Sequence, residues 1–143
     1  KGSGLKVFEG QFGINICYDS EFPSFAKDLA QKGVKILLVP SCTETMHGLT
    51  RVQVSCRACA IQNQFYVINS ASVGYSEASD ICDVSTGISG IYTPADAGFP
   101  QDGILNHGML EREIEVGAEL SLAKIDSIRR HGSTRNFEDG KTL

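Results

Sequence analysis

The sequence lacks any apolar run long enough to cross a membrane, since the longest runs, such as residues 36–39, span only a few positions. It also lacks a basic start followed by an apolar core, which predicts that no signal peptide is present. Repeats and low-complexity tracts are missing as well. The 143 residues, 41% of them hydrophobic and 21% charged, are sufficient for one domain with a sizeable core.

Positive charge is also scarce. The chain has 13 lysines and arginines against 17 acidic residues, for a net charge of −4, and the basic residues are scattered rather than grouped. This balance argues against a nucleic acid or an anionic membrane as the main partner.

The cysteines are too few, and wrongly placed, for a secreted disulfide scaffold. Their number is odd, and all lie in apolar or strand-like surroundings: Cys17, Cys42, Cys56, Cys59 and Cys82. We therefore expect reduced thiols in a cytoplasmic protein. The C-x-x-C spacing of Cys56 and Cys59 has no second pair to complete a tetrahedral zinc site, so the sequence predicts helix packing and no metal.

Apolar periodicity and turn residues predict three strand–helix units followed by short strands. The predicted strands span residues 6–9, 11–17, 34–40, 65–70, 87–92, 104–106 and 120–125, and the predicted helices span residues 23–32 and 50–63. The second helix has two apolar stripes, which predicts burial on two sides. Residues 129–143 have little apolar content and are predicted to form a C-terminal tail. This order of elements is typical of an α/β sandwich with a mixed sheet.

Two loops follow neighbouring predicted strands, at residues 17–23 and 41–47. In α/β sheets, ligand and catalytic groups gather at the carboxyl ends of strands, so we expect these loops to converge. Cys17 lies between a strand and a helix, where a nucleophile is exposed while its backbone is held. The alternative interpretation is a small apolar residue that ends a core strand.

Residues 13–23, Gly-Ile-Asn-Ile-Cys-Tyr-Asp-Ser-Glu-Phe-Pro, resemble the cysteine motif of the nitrilase superfamily, the carbon–nitrogen hydrolases. The likeness extends over residues 6–135, through blocks at 37–41, 57–70 and 90–94 and a strand at 123–126. The resemblance implies a four-layer α-β-β-α sandwich. Since family domains are nearly twice this length, residues 1–143 resemble the C-terminal half of such a domain.

The resemblance also implies a reaction: a thiol hydrolase that cleaves a non-peptide C–N bond of an amide, carbamoyl or nitrile substrate, without a cofactor. Cys17 would be the nucleophile, and the backbone N–H of Tyr18 would stabilise the oxyanion. The family's catalytic glutamate and lysine come from the half before the cysteine motif, so the N-terminal half is an expected partner. Pairs of domains stack through outer helices in the family, which predicts a homo-oligomer.

The expected substrate pocket includes Glu21, Thr43 and Glu44 from the two loops. Several relatives have an arginine, which holds a substrate carboxylate, at the position of Glu21. The glutamate predicts rejection of acidic substrates in favour of neutral or cationic ones. The alternative is that Glu21 is a helix-start carboxylate.

Two other interpretations stay open at the level of sequence. His47 could pair with Cys17, oriented by Glu44, as in other cysteine hydrolases. The chain could also be a non-catalytic half-domain that acts by association with a partner chain, through an exposed sheet or helix face.

Overall fold

The computed structural model describes residues 4–77 and 84–142. Within these ranges it contains eight strands, four α-helices and one 3-10 helix, at Cys17–Glu21. The strands are β1 (Val7–Phe8), β2 (Phe12–Ile14), β3 (Ile36–Ser41), β4 (Tyr66–Ala71), β5 (Gly74–Tyr75), β6 (Val84–Ser85), β7 (Gly90–Tyr92) and β8 (Ile104–His107). The helices are α1 (Pro23–Gln31), α2 (Met46–Asn63), α3 (Leu122–His131) and α4 (Asn136–Asp139). Among the described residues, no helix combines the length and the apolar character needed to span a membrane.

Six strands form one mixed sheet in the order β1-β2-β3-β4-β7-β8, and β5 and β6 pair separately. The central pairs β2–β3 and β3–β4 are parallel, whereas β1–β2, β4–β7 and β7–β8 are antiparallel. The crossover helices α1 and α2 make the two parallel connections. The predicted mixed α/β architecture is confirmed.

Helices α1 and α2 cover one face of the sheet and form the larger core with it. Its buried members include Leu29 from α1, Leu37 and Val39 from β3, and Cys56 and Ala60 from α2. Gly13 allows this close packing, because a Cβ at its position would lie 3.1 Å from a methyl carbon of Leu29 and 3.2 Å from one of Val34.

The opposite face of the sheet is only partly covered. Helix α3 packs against one end of it through Ile125 and Ile128, which form a second core with Ile36 and Tyr66. Further along this face, Ile14 is 39% exposed. The sheet therefore has one face closed by helices and one face that is apolar and partly open.

Two sequence predictions are revised at the C-terminal end. The predicted strands at 120–125 and 123–126 are wrong, because α3 occupies most of this segment. The helix begins at Leu122, and the hydroxyl of Ser121 caps it by accepting the N–H of Lys124. The apolar residues that drive it, at 122, 125 and 128, follow a helical rather than an alternating period. The segment predicted as a tail, 129–143, holds the end of α3 and all of α4, and Phe137 packs against the larger core.

Helix α2 also differs from its prediction. It begins at Met46 rather than near Thr50, because the hydroxyl of Thr45 caps it by accepting the N–H of Gly48 at 3.2 Å. Its second apolar stripe, expected to be buried, is open: Val54 is 58% exposed and Ile61 is 38% exposed.

Arg129 ties α3 to the larger core. Its guanidinium donates to the carbonyl oxygens of Val34, Asn63 and Gln64 at 2.9, 3.1 and 3.0 Å, and it stacks 3.9 Å from the ring of Phe137. Burial lowers the pKa of Arg129 to about 10, against the opposing effect of Asp126, so the side chain stays charged at neutral pH. One cation thus satisfies three carbonyls at the end of α2 and in the turn before β3.

We expect Arg129→Met to lower the free energy of unfolding by about 3 kcal/mol, because three backbone carbonyls lose their donor. The matched control is Arg130→Met, on the exposed side of the same helix, where the change should stay within about 0.5 kcal/mol. Urea unfolding of both variants of the complete protein provides the measurement. Equal effects at the two positions would contradict the assigned role of Arg129.

Candidate active site

The two loops expected to converge do so. Strands β2 and β3 are parallel neighbours with Ile14 opposite Leu38, so the chain leaves both strands at the same edge of the sheet. Between the loops lies a cleft of about 270 Å³. It is lined by Cys17, Tyr18, Glu21, Cys42, Thr43, Glu44, Thr45, Gly48, Arg51 and Val52. All five sequence-predicted site residues are therefore at this cleft.

Cys17 lies in a strained and well-supported turn. Its φ of 47° is in the left-handed region that non-glycine residues rarely adopt. The Asp19 carboxylate accepts the N–H of Ile16 at 3.0 Å, and the Ser20 hydroxyl donates to the Cys17 carbonyl at 2.7 Å. Strain of this kind persists only where the surroundings enforce it, and it clusters at functional sites.

The thiol of Cys17 is half-buried and faces the second loop. It donates to the carbonyl oxygen of Cys42 at 3.5 Å. The next residue, Tyr18, belongs to the first turn of the 3-10 helix, where backbone N–H groups have no acceptor within the helix. The Tyr18 ring is 62% exposed and meets Phe22 edge-on at 4.9 Å. A thiol and a first-turn N–H therefore lie together at the cleft.

Glu21 is not an isolated carboxylate. Its Oε1 accepts the Nε–H of Arg51 at 3.1 Å; the Glu21 side chain is 19% exposed and the Arg51 side chain 60%. The pair joins the 3-10 helix to α2 across the cleft. Sequence reasoning missed Arg51, because nothing in the local pattern links residues 30 positions apart.

Thr43 and Glu44 have different surroundings. The Thr43 hydroxyl donates to the Thr86 carbonyl at 2.6 Å, and the Thr86 N–H donates to the Thr43 carbonyl at 2.7 Å, so Thr43 holds its loop in place. Glu44 is exposed at the rim of the cleft. His47 is exposed on the first turn of α2, and within the described part of the chain no hydrogen bond joins it to Cys17.

Two other thiols lie behind the cleft, in the larger core. Burial, together with Cys59 and Cys17, raises the pKa of Cys56, and burial raises the pKa of Cys59 to about 11. The Cys59 thiol donates to the carbonyl of Ser20 at 3.7 Å. Across residues 4–77 and 84–142 there is no group of three or more metal-ligating side chains. Cys82 lies outside the described residues.

Asn15, two positions before Cys17, is a second feature that the sequence did not single out. It is fully buried, and both polar atoms of its side-chain amide lack a hydrogen-bond partner in the described structure. Asn69 is also buried, but its amide donates to Val39 and Ser41 at 2.8 and 3.0 Å. An amide in an apolar strand is visible in sequence, whereas the lack of partners is not.

Comparison with known proteins agrees with this geometry. The family model described as carbon-nitrogen hydrolase matches residues 2–96. The chain is 36% identical over 141 residues to "Probable hydrolase YhcX" of Bacillus subtilis (strain 168), covering 96% of this chain and 28% of that protein. It is 41% identical over 70 residues to "Deaminated glutathione amidase" of Mus musculus, covering 49% of this chain and 22% of that protein.

Two solved structures are similar over most of the chain. Saccharomyces cerevisiae Nit3, a member of branch 10 of the nitrilase superfamily, has a TM-score of 0.71 and 28% identity, covering 91% of this chain and 45% of that one. The C. elegans NitFhit protein has a TM-score of 0.67 and 30% identity, covering 82% and 26%. The chain thus spans less than half the length of these proteins, and the expected sandwich fold is confirmed.

The four described cysteines should differ sharply in reactivity. We expect iodoacetamide at pH 8 to modify Cys17 at least about a hundredfold faster than Cys56 or Cys59, because burial and a raised pKa keep the core thiols protonated. Peptide mass spectrometry of the complete protein gives the site-specific rates. Denaturation in guanidinium is the control and should make the rates converge; similar rates in the folded state would contradict the arrangement.

The two buried asparagines provide a matched test of polar burial. Asn15→Val should raise the free energy of unfolding by about 1 kcal/mol, because it removes a buried amide that has no partner. Asn69→Val should lower it by about 2 kcal/mol, because two hydrogen bonds are lost. Urea unfolding of both variants measures the two changes in the free energy of unfolding. A loss of stability for Asn15→Val would show that the Asn15 amide has hydrogen-bond partners in solution.

Proposed function

The chain belongs to the carbon-nitrogen hydrolase family, and from this premise we propose that it supplies the nucleophile of a thiol hydrolase. The substrate is a small molecule with a non-peptide C–N bond, of amide, carbamoyl or nitrile type. Amides lead, because the named relatives include "Deaminated glutathione amidase" and "Omega-amidase NIT3". The observation that carries the proposal is the strained Cys17, whose thiol faces the cleft from the carboxyl end of β2.

In the proposed reaction, the Cys17 thiolate attacks the carbonyl carbon of the amide. The developing oxyanion accepts the N–H of Tyr18, and a donor of this kind is typically worth about 3 kcal/mol in the transition state. The C–N bond then breaks, and the nitrogen leaves as ammonia or an amine with the proton taken from the thiol. Water hydrolyses the thioester, which releases the acid and restores Cys17.

The general base and the cationic oxyanion partner are proposed to come from an N-terminal half of the domain. The open face of the sheet supports this proposal, because Ile14 and Ile16 there are 39% and 62% exposed. A second sheet packed on this face would bury them and produce the four-layer sandwich.

The outer helices support the proposed homo-oligomer. Val54 and Ile61 leave an apolar stripe of α2 open, on the side away from the sheet. A thiol nucleophile must also remain reduced, which supports the proposed cytoplasmic location.

The competing candidate is a half-domain that binds a partner without catalysis. The same open sheet face favours it, because apolar surface of this kind marks an interaction site. The two candidates differ in what they require of Cys17, since association needs no reactive thiol.

We expect Cys17→Ala in the complete protein to lower kcat for amide hydrolysis by at least about a thousandfold, because it removes the thiol proposed to form the thioester. Cys42→Ala, at the same cleft, should cost less than about tenfold. Steady-state release of ammonia is the measurement, and unfolding curves show that both variants are folded. Full activity in Cys17→Ala would overturn the proposal, and a wild-type protein inactive on every amide, carbamoyl and nitrile tested would support the association candidate.

A further inference from the structure

The Glu21–Arg51 pair places one positive and one negative side chain in contact at the cleft. Among the described residues that line the cleft, Arg51 is the only cation, and Glu21 and Glu44 are the carboxylates. Glu44 is exposed at the rim, whereas Glu21 is largely buried and bonded to the guanidinium. The carboxylate that the sequence presents as a repulsive group is therefore engaged by a positive one.

The geometry of the pair leaves the guanidinium available to a ligand. The described contact uses Nε of Arg51 and Oε1 of Glu21, at 3.1 Å, rather than the two-bond fork that Arg and carboxylates form when fully engaged. No hydrogen bond within residues 4–77 and 84–142 occupies either Nη of Arg51. The Nη groups are the part of a guanidinium that matches a carboxylate in a bidentate manner.

The Glu21–Arg51 ion pair contributes little to the free energy of folding. Its position at the cleft is therefore not explained by a role in stability. Arg51 is 60% exposed, and an ion pair with such exposure is screened by water. By contrast, a long side chain that is tethered at one nitrogen loses less freedom when it binds a ligand. Glu21 thus restricts the orientations of Arg51, which lines the same cleft as Cys17.

We infer that Arg51, positioned by Glu21, binds a carboxylate on the substrate, so that the amide hydrolysed at Cys17 carries an acidic group at its other end. This rests on the proposed function and adds the substrate class to it. It reverses the expectation drawn from the sequence, in which Glu21 repels acidic substrates. In this arrangement Arg51 touches the substrate, and Glu21 acts only through Arg51.

Three amides of equal chain length test this directly, in the complete protein. Succinamate ends in a carboxylate, butyramide in a methyl group and 4-aminobutyramide in an ammonium. We expect kcat/KM for succinamate to exceed that for 4-aminobutyramide at least tenfold. In Arg51→Gln, the fall for succinamate should exceed the fall for butyramide at least tenfold and appear in KM, because a charge-assisted hydrogen bond is lost.

The Glu21→Gln variant separates positioning from repulsion, because the two predict opposite signs. If Glu21 positions Arg51, its loss raises KM for succinamate; if Glu21 repels acids, its loss lowers that KM. The matched control is Arg57→Gln, on the exposed side of α2, where the side chain donates to the carbonyl of Asp102 away from the cleft. It should change the ratio of succinamate to butyramide less than twofold. A preference for 4-aminobutyramide, or a lower succinamate KM in Glu21→Gln, would overturn the inference.

A second readout does not need turnover. Iodoacetate and iodoacetamide differ by one carboxylate and both alkylate thiols, so the ratio of their rates at Cys17 reports how the cleft treats an anion. Arg51→Gln should lower this ratio at least threefold, and an unchanged ratio would count against Arg51 as the anion site. If no amide is hydrolysed but the ratio falls as expected, the proposed function fails while the carboxylate site stands.

Discussion

The parallel pairing of β2 with β3 is the constraint on which the rest of the site depends. Its register places Ile14 opposite Leu38, and the pairing continues where the N–H of Asn15 donates to the carbonyl of Leu38 at 3.0 Å. Both strands therefore run toward the same edge of the sheet, and the loops that follow them form two walls of one cleft. A one-residue slip in this pairing would turn every core residue of β2 to the opposite face. Gly13 faces α1 in this register, and a Cβ at its position would meet side-chain methyl carbons of Leu29 and Val34 at 3.1 and 3.2 Å, so a larger residue would require those side chains to shift.

The strained backbone at Cys17 follows from that framework. The chain must turn within a few residues from the end of β2 into α1, whose first residue is Pro23. The side chains of Asp19 and Ser20 bond to the backbone on either side of Cys17, which offsets the cost of a left-handed residue, of order 1 kcal/mol. Cys56 shows the difference that the turn makes. Both thiols lie near the larger core, but Cys56 is buried within it, whereas the turn after β2 places Cys17 at the cleft.

The elements whose boundaries are set by local chemistry could be predicted from the sequence. Proline begins α1, glycine follows it, and an unbroken apolar run makes β3, so these elements agree with the prediction within two residues. Helix α3 was mistaken for a strand because residues 120–125 also fit a short alternating pattern, and only its burial against Ile36 and Tyr66 settles the period. In the same way, Phe137 and Arg129 look like parts of a polar tail until their contacts with distant carbonyls are known.

Some features of the candidate site follow from contiguous sequence motifs, and others depend on contacts between residues that are distant in the sequence. Cys17 and the cleft residues around it belong to contiguous motifs, so their positions follow from the strand order. The electrostatic character of the cleft depends instead on a contact between Glu21 and Arg51, which come from different elements. If Glu21 positions Arg51 as proposed, the charge of one residue in the cysteine motif does not by itself define the charge of the substrate. In the proposed enzyme, the turn after β2 and the face of α2 that meets it together set the charge preference of the cleft.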